Sequence, residues 1–254
     1  MSVGPRVGPC VYDAPVDRSF LVLDIETIPD GELYRPPEKP SGTEKPFPPT
    51  YAHRIVVMGA MWLDAEHRMT RLGVLGDGKD EGDVLAAFSE FMRKNEPDLV
   101  TFNGRSFDLP VILQRSLRHG VPMAWFYGRG DYRYRYSVAG HFDLCDLLSE
   151  HGAARYVSLD AAARLVGLPG KTGVDGSHVE GLWHAGQVET LKNYCLCDVA
   201  QTAFLFLRFR LLQGVLDADA YRRAAADLHD KLSADARTAS LFESAQLERL
   251  LLRA

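Results

Sequence analysis

The stretch "FLVLDIETIPD", residues 20–30, constrains the fold more than any other part of the chain. Its apolar run reads as a buried strand, assigned to residues 20–26. Asp24 and Glu26 interrupt that run with a single residue between them. Side chains two apart on a strand share a face, so the two carboxylates stand side by side, roughly 7 Å apart along the chain. Two negative charges on a core strand cost free energy unless something neutralises them. The alternative is that they lie past the strand's end, in water. Two other D-x-E pairs, Asp30–Glu32 and Asp64–Glu66, sit in loop or turn sequence, where solvated acids carry no such constraint.

Around this strand the pattern is α/β. Residues 54–64 and 67–76 read as two strands of a hairpin that turns at Ala65–Glu66. Residues 81–95 carry a helical apolar stripe at Val84, Leu85, Phe88, Phe91 and Met92. A short strand at 97–103 leads into a helix at 106–120. Residues 158–170 hold a short helix with Ser158 as N-cap and Gly167 as its stop. A long helix covers about 185–213, and two helical stretches follow from Asp217. The expected organisation is an irregular arm (1–19), one α/β domain (20–214) with a mixed sheet flanked by helices, and a C-terminal helical extension (215–254) packed on it. Residues 28–53, rich in proline and charge, form a long loop, of the kind that is usually functional or mobile.

At 254 residues the chain is long enough for a substantial core, and 46% hydrophobic with 25% charged residues is ordinary for a soluble globular protein. No run is long and apolar enough for a membrane span, and the N-terminus lacks a secretory h-region. The four cysteines show neither disulfide-framework nor zinc spacing, which implies free thiols and a reducing, cytoplasmic setting. A net charge of −5 does not advertise a nucleic-acid binder. Locally the balance reverses: residues 102–136 hold Arg105, Arg115, Arg118, Arg129, Arg133 and Arg135 against Asp108 and Asp131.

Two further acidic motifs accompany the first. "NGRSFD", Asn103 to Asp108, follows a strand directly, so Asp108 falls near a helix start at a strand's C-terminal end, where α/β sheets gather ligands. An N-terminal-turn aspartate that simply answers the helix dipole has the same placement. "NYCLCDVAQT" puts Tyr194 and Asp198 four apart on the long helix, hence on one face with Leu191, Thr202 and Leu205. Each motif is cheap alone, as the Tyr-x-x-x-Asp matches at Tyr127 and Tyr156 illustrate. Their order on strand, strand-to-helix junction and late helix makes them specific together.

With D-I-E-T, N-G-R-S-F-D and Y-C-L-C-D in that order, the chain resembles DEDD-type 3′–5′ exonucleases on a ribonuclease-H-like fold. Tyr194, four before Asp198, marks the DEDDy branch; the histidine branch has its His where this chain has Asn193. "HFDLCDLLS", "SLDAAARLVGLPGK" and "YCLCDVAQTAFLFLRF" bring it nearer to stand-alone bacterial relatives of the proofreading domain of family B DNA polymerases. The resemblance spans about residues 20–214. It implies that Asp24, Glu26, Asp108 and Asp198 hold two divalent cations, Mg²⁺ or Mn²⁺, and that Tyr194 orients the attacking water. It further implies stepwise release of nucleoside 5′-monophosphates from single-stranded or frayed 3′ ends. The substrate is DNA on family likeness alone, with short RNA the alternative. A non-catalytic nucleic-acid-binding module and a polymerase accessory subunit are readings of a different class.

Substrate contacts are expected at Thr27, Asn103, Phe107, Arg129, Arg133, Arg135 and Lys171, with Phe107 also read as core. The "WFYGRGDYRYRY" stretch has two readings. Its arginines and aromatics suit a single-strand channel, and the alternation from Tyr132 to Tyr136 equally suits an amphipathic strand with its tyrosines turned inward. "GLPGKT" lacks the spacer of a phosphate-binding loop. Asp143, two after His141, is read as supporting the site and not as a metal ligand. No membrane association is expected, and no protein partner is legible.

Overall fold

The computed structural model describes residues 18–35, 47–137, 139–170 and 178–253. Lys171, Cys10 and nearly all of the 1–19 arm fall outside them. Among the described residues five strands form one mixed sheet: β1 (Phe20–Pro29), β2 (His53–Leu63), β3 (Met69–Val74), β4 (Asp98–Thr101) and β5 (His141–Asp143), in the order β3-β2-β1-β4-β5. β1 pairs antiparallel with β2 and parallel with β4, which is itself parallel to β5. Helices cover both faces: α1 (Glu81–Asn95), α2 (Asp108–His119), α3 (Ala124–Gly128), α4 (Gly130–Arg133), α5 (Leu144–Leu148), α6 (Leu159–Val166), α7 (Val179–His184), α8 (Val188–Leu212), α9 (Ala218–Ala234) and α10 (Leu247–Leu251).

The period-two alternation of β1 sorts its side chains into two cores. Leu21, Leu23 and Ile25 pack with Leu85 and Phe88 of α1, Leu109 and Ile112 of α2, and Trp125 of α3. Phe20 and Val22 pack on the opposite face with Val199, Phe204 and Phe206 of α8, Ala162 of α6 and Tyr221 of α9. Asp24 and Glu26 continue this second register, so they are aimed at α8. Along β1, β4 pairs with Phe20–Val22 and no further. Beyond Val22 the β4-side edge of β1 is open, and the start of α2 approaches it there.

Local chemistry explains the element ends. Ser158 caps α6 by accepting from the Ala161 N–H, and Gly167 stops it at φ 99°, a left-handed angle that suits glycine. β1 runs to Pro29, past the expected end at 26, because pairing with β2 resumes after a bulge: Glu26 faces Val57 while Thr27 faces Ile55. β4 ends at Thr101, earlier than the expected 103, since Asn103 already turns at φ 66°. The long helix starts at Val188, and α7 precedes it as a separate turn of helix.

Two sequence readings are corrected. β5 was not anticipated; it has three residues and a single apolar side chain, Phe142, too little for a periodic signal. The alternation from Tyr132 to Tyr136 is not a strand: Gly130–Arg133 is helical, and the chain turns after it. Only Tyr132 is buried, packed edge-on against Trp125, so neither of these rings is a surface stacking residue.

One glycine sets how close α8 comes. Gly59 of β2 lies opposite Asp24 in the ladder, and a Cβ there would stand 2.7 Å from Cys195 Sγ and 3.2 Å from Val199 Cγ2. The helix therefore rests on bare backbone. We expect Gly59→Val to cost about 1–3 kcal/mol through overpacking and to depress activity by lifting Tyr194 and Asp198 off the sheet. Urea unfolding and turnover measured side by side check this; an unchanged midpoint with full activity would show that α8 has room to move.

Candidate active site

Three elements converge on the open edge of β1. Asp24 and Glu26 come from the strand, Asp108 is the first residue of α2, and Tyr194, Cys195 and Asp198 come from α8. Donor atoms of Asp24, Glu26 and Cys195 lie within 4.8 Å of one another. The Cys195 thiol is 3.4 Å from Asp24 Oδ2 and 3.5 Å from the Asp24 carbonyl oxygen, donating toward both. Gln201, one turn on, donates from Nε2 to Asp198 Oδ1 at 3.1 Å. Cys195 and Gln201 were not singled out by sequence reading. A polar residue one turn after the Asp and a small thiol beside the Tyr are the signals that mark them, and both need the helix placed before they mean anything.

The electrostatics are those of crowded negative charge. Burial raises the Asp24 carboxyl well above the usual carboxylate range, and the charges of Asp108, Glu26 and Asp198 push it the same way. Glu26 is raised by burial and then by Asp198 and Asp108. Asp108, 4% exposed, is pushed up to about 7, chiefly by burial with Asp143 adding, against the backbone N–H groups at its own helix start and at Ile25. Among the described residues no basic side chain offsets the rise at Asp24 or Glu26. The Tyr194 phenol is likewise raised, by burial first and then by Asp198 and Glu26, and it hydrogen-bonds Asp198.

This donor set fits a divalent cation. Clustered carboxylate oxygens whose charge stays uncompensated are what Mg²⁺ or Mn²⁺ binds, and hard oxygen ligands favour those ions over softer metals. Among the described residues Cys195 is the one soft donor in reach.

The "NGRSFD" turn is a backbone device as much as a chemical one. Asn103 adopts the left-handed conformation, and Gly104 has no room for a side chain, since a Cβ would meet Thr101 Oγ1 at 2.4 Å. Asp143 holds the turn from β5: its carboxylate accepts from the backbone N–H groups of Asn103 and Arg105, each at 2.8 Å, and caps α5 through Cys145 at 3.1 Å. That is the supporting role read from its position.

The remaining sequence candidates spread out. Thr27 points to the other face of β1, where Oγ1 is 2.8 Å from His53 Nδ1. Phe107 is half-buried, with its ring edge-on to His53 at 4.9 Å and tilted against Phe47 at 5.8 Å. Asn103 is exposed beside them in sequence. Arg129 is drawn away to Asp131, at 2.5 Å, and toward Asp98 at 3.8 Å. Arg135 holds Asp146, with Nε 2.9 Å from Oδ2. Arg133 lies over the Tyr127 ring at 5.3 Å.

A mixed sheet with an acidic pair on its central strand, faced by a helix that carries Tyr and Asp four apart, is a ribonuclease-H-like α/β architecture. Residues 45–246 match a family described as predicted 3′–5′ exonucleases related to the exonuclease domain of PolB, and the chain belongs to that family. The matched segment holds Asp108, Tyr194 and Asp198 and begins after β1. The structure is similar to that of the family B DNA polymerase from the hyperthermophilic archaeon Pyrobaculum calidifontis, with a TM-score of 0.52, 19% identity and 93% of this chain covered. The chain spans 29% of that polymerase. No curated protein matches it significantly. Among the described residues no helix is long and apolar enough to cross a membrane.

Proposed function

We propose that the protein hydrolyses single-stranded or frayed 3′ ends of DNA one nucleotide at a time, releasing nucleoside 5′-monophosphates, with Asp24, Glu26, Asp108 and Asp198 as ligands of two divalent cations. The observation that carries the reading is the convergence of carboxylates from β1, α2 and α8: burial raises Asp24, Glu26 and Asp108, and the negative charges of Asp198 and Asp108 push Asp24 and Glu26 further. Such a cluster destabilises the fold unless cations occupy it. Bound there, Mg²⁺ or Mn²⁺ would supply Lewis-acid stabilisation of the phosphoryl oxygens and activation of water.

The chain's own groups divide the remaining work. The Tyr194 phenol stays protonated, so it acts as a hydrogen-bond donor that orients water or phosphate and not as a base. Gln201 fixes the Asp198 carboxylate, and Cys195 fixes that of Asp24. Tyr194→Phe should lower turnover about tenfold, the value of one net hydrogen bond to a charged or reacting group. The shape of the pH–rate profile should stay the same. A variant whose alkaline limb vanishes would identify Tyr194 as a titrating base and reject the donor role.

The direct test is a time course on 5′-labelled single-stranded DNA and matched RNA with Mg²⁺ or Mn²⁺. A ladder that shortens from the 3′ end, needs metal and favours DNA supports the proposal. Faster RNA trimming would reassign the substrate, and binding without degradation would favour a non-catalytic module.

A further inference from the structure

A second feature of the molecule has no structural explanation. Tyr134, Tyr136 and Tyr156 expose 61%, 58% and 57% of their surface, although tyrosines in a folded domain bury most of their ring. They are clustered and not scattered. Tyr134 and Tyr136 meet edge to face at 5.8 Å, and Tyr136 stands over His151 at 4.6 Å. Arg135 reaches the Tyr156 hydroxyl at 3.5 Å.

The cluster rests on a rigid base. Asp146, buried beneath it, binds Arg135 through Nε at 2.9 Å and His151 through Nδ1 at 3.0 Å. Its carboxyl is held at about 2, mainly by the Arg135 hydrogen bond. Arg105 comes within 4.0 Å of the same carboxylate, while its backbone N–H is bound by Asp143. Arg105 belongs to the turn that delivers Asp108, so the base under the rings is linked to that turn through Asp146 and Asp143.

Arginines stand among the rings. Arg133, Arg135 and Arg155 are exposed between residues 131 and 156, whereas of the acids there Glu150 is exposed and Asp131, Asp143 and Asp146 are half-buried or buried. Exposed rings interleaved with arginines are what sequence-tolerant single-strand binding uses: bases stack on the rings and phosphates meet the guanidinium groups.

We propose that Tyr134, Tyr136 and Tyr156 form a stacking ledge for bases of the single strand that lie upstream of the hydrolysed nucleotide. This rests on the exonuclease reading for its direction along the strand, but the ledge itself binds without catalysis. It also narrows the sequence expectation to the exposed tyrosines of the stretch, since Trp125 and Tyr132 are buried and Arg129 is held by Asp131.

Binding of fluorescein-labelled oligothymidylates of 2 to 12 nucleotides, measured by anisotropy in EDTA, tests it. Wild-type affinity should rise steeply with length. The Tyr134→Ala/Tyr136→Ala/Tyr156→Ala variant should bind the 12-mer at least about tenfold more weakly, as loss of one or more base stacks requires. Its length dependence should flatten, and the matching Tyr→Phe variant, which keeps the rings, should bind as wild type. Circular dichroism of both variants separates lost binding from lost fold. An unchanged 12-mer affinity in the alanine variant, or no length dependence in wild type, overturns the ledge and leaves the patch as a protein interface. Hydrolysis assayed on the same oligonucleotides with metal judges the exonuclease reading separately, since binding in EDTA does not depend on it.

Discussion

Replacing Asp24 by asparagine is expected to abolish 3′-end hydrolysis and, in the same stroke, to stabilise the metal-free protein. The first effect should be on the order of 10³-fold or more, because a cation used as a Lewis acid is worth several kcal/mol of barrier. The second follows from linkage. In the unfolded chain aspartate and glutamate titrate near 3.9 and 4.3. In the fold Asp24 and Glu26 are raised well above this, and Asp108 to about 7. Between those limits the folded state binds more protons than the unfolded one, so stability falls as pH rises from about 4 through 7. Asp24→Asn removes one of the charges and eases the others. Its advantage over wild type should therefore open between pH 5 and pH 8, reaching on the order of 5 °C, since 1 kcal/mol moves Tm by about 2–4 °C at this size. Comparing both proteins at each pH cancels groups that titrate in common, such as the buried His67, lowered to about 4 mainly by its burial. Mg²⁺ or Mn²⁺ at pH 8 should reverse the order by stabilising wild type alone. An asparagine variant that melts below wild type at pH 8 in EDTA would contradict the picture of a cluster held together at a cost.

The candidate site is legible in the sequence because its acids break local rules. Asp24 and Glu26 interrupt an apolar strand, Asp108 stands at a strand-to-helix junction, and Asp198 shares a helix face with Leu191, Thr202 and Leu205. Each departure is visible without coordinates. What escaped detection depends on distance between parts of the chain. Gly59 is an ordinary strand glycine until α8 lies on it. Cys195 is one more apolar helix residue until the Asp24 carboxylate is 3.4 Å away. β5 has one apolar side chain and is held by neighbours, with the Leu99 N–H donating to the Gly140 carbonyl and Gly140 donating to Asp98. The tyrosine stretch misled for a further reason: alternation shows that two faces differ, and says nothing of whether the backbone is extended. The glycines at 128 and 130 gave no better guide: they precede the alternation, and one ends α3 while the other opens α4.

The largest loss of stability is expected from a residue far from the chemistry. Arg115 of α2 is 2% exposed, yet it carries a full charge. Its Nη1 is 2.7 Å from Asp30 Oδ2, just past β1, and its Nε and Nη2 grip both oxygens of Glu81 at 2.8 and 2.6 Å. Glu81 opens α1 and also accepts from the Ile55 N–H of β2 at 2.8 Å and from His119 Nε2 at 2.8 Å. One guanidinium thus bolts α2 to α1, β2 and the end of the strand that carries Asp24 and Glu26. Burial works against the Asp30 charge, but the Arg115 hydrogen bond and its positive charge leave that carboxyl below its usual range. A depressed carboxylate contributes stability at neutral pH that is lost as pH falls through its folded pKa. Arg115→Ala would strip two buried carboxylates of their main cation, leaving Glu81 with His119 and Asp30 with the more distant Arg118 at 3.9 Å, at a cost of about 3–5 kcal/mol. Arg115→Lys should recover only part of this, because an ammonium cannot supply the planar fork that two acids share here. Combining Arg115→Met with Asp30→Asn and Glu81→Gln should recover much of the rest, since removing a buried ionic group whole is far cheaper than breaking it. Urea unfolding of the four proteins decides the matter. A loss below about 1 kcal/mol in Arg115→Ala would mean that α2, and Asp108 at its start, is positioned by packing alone and not by this clamp.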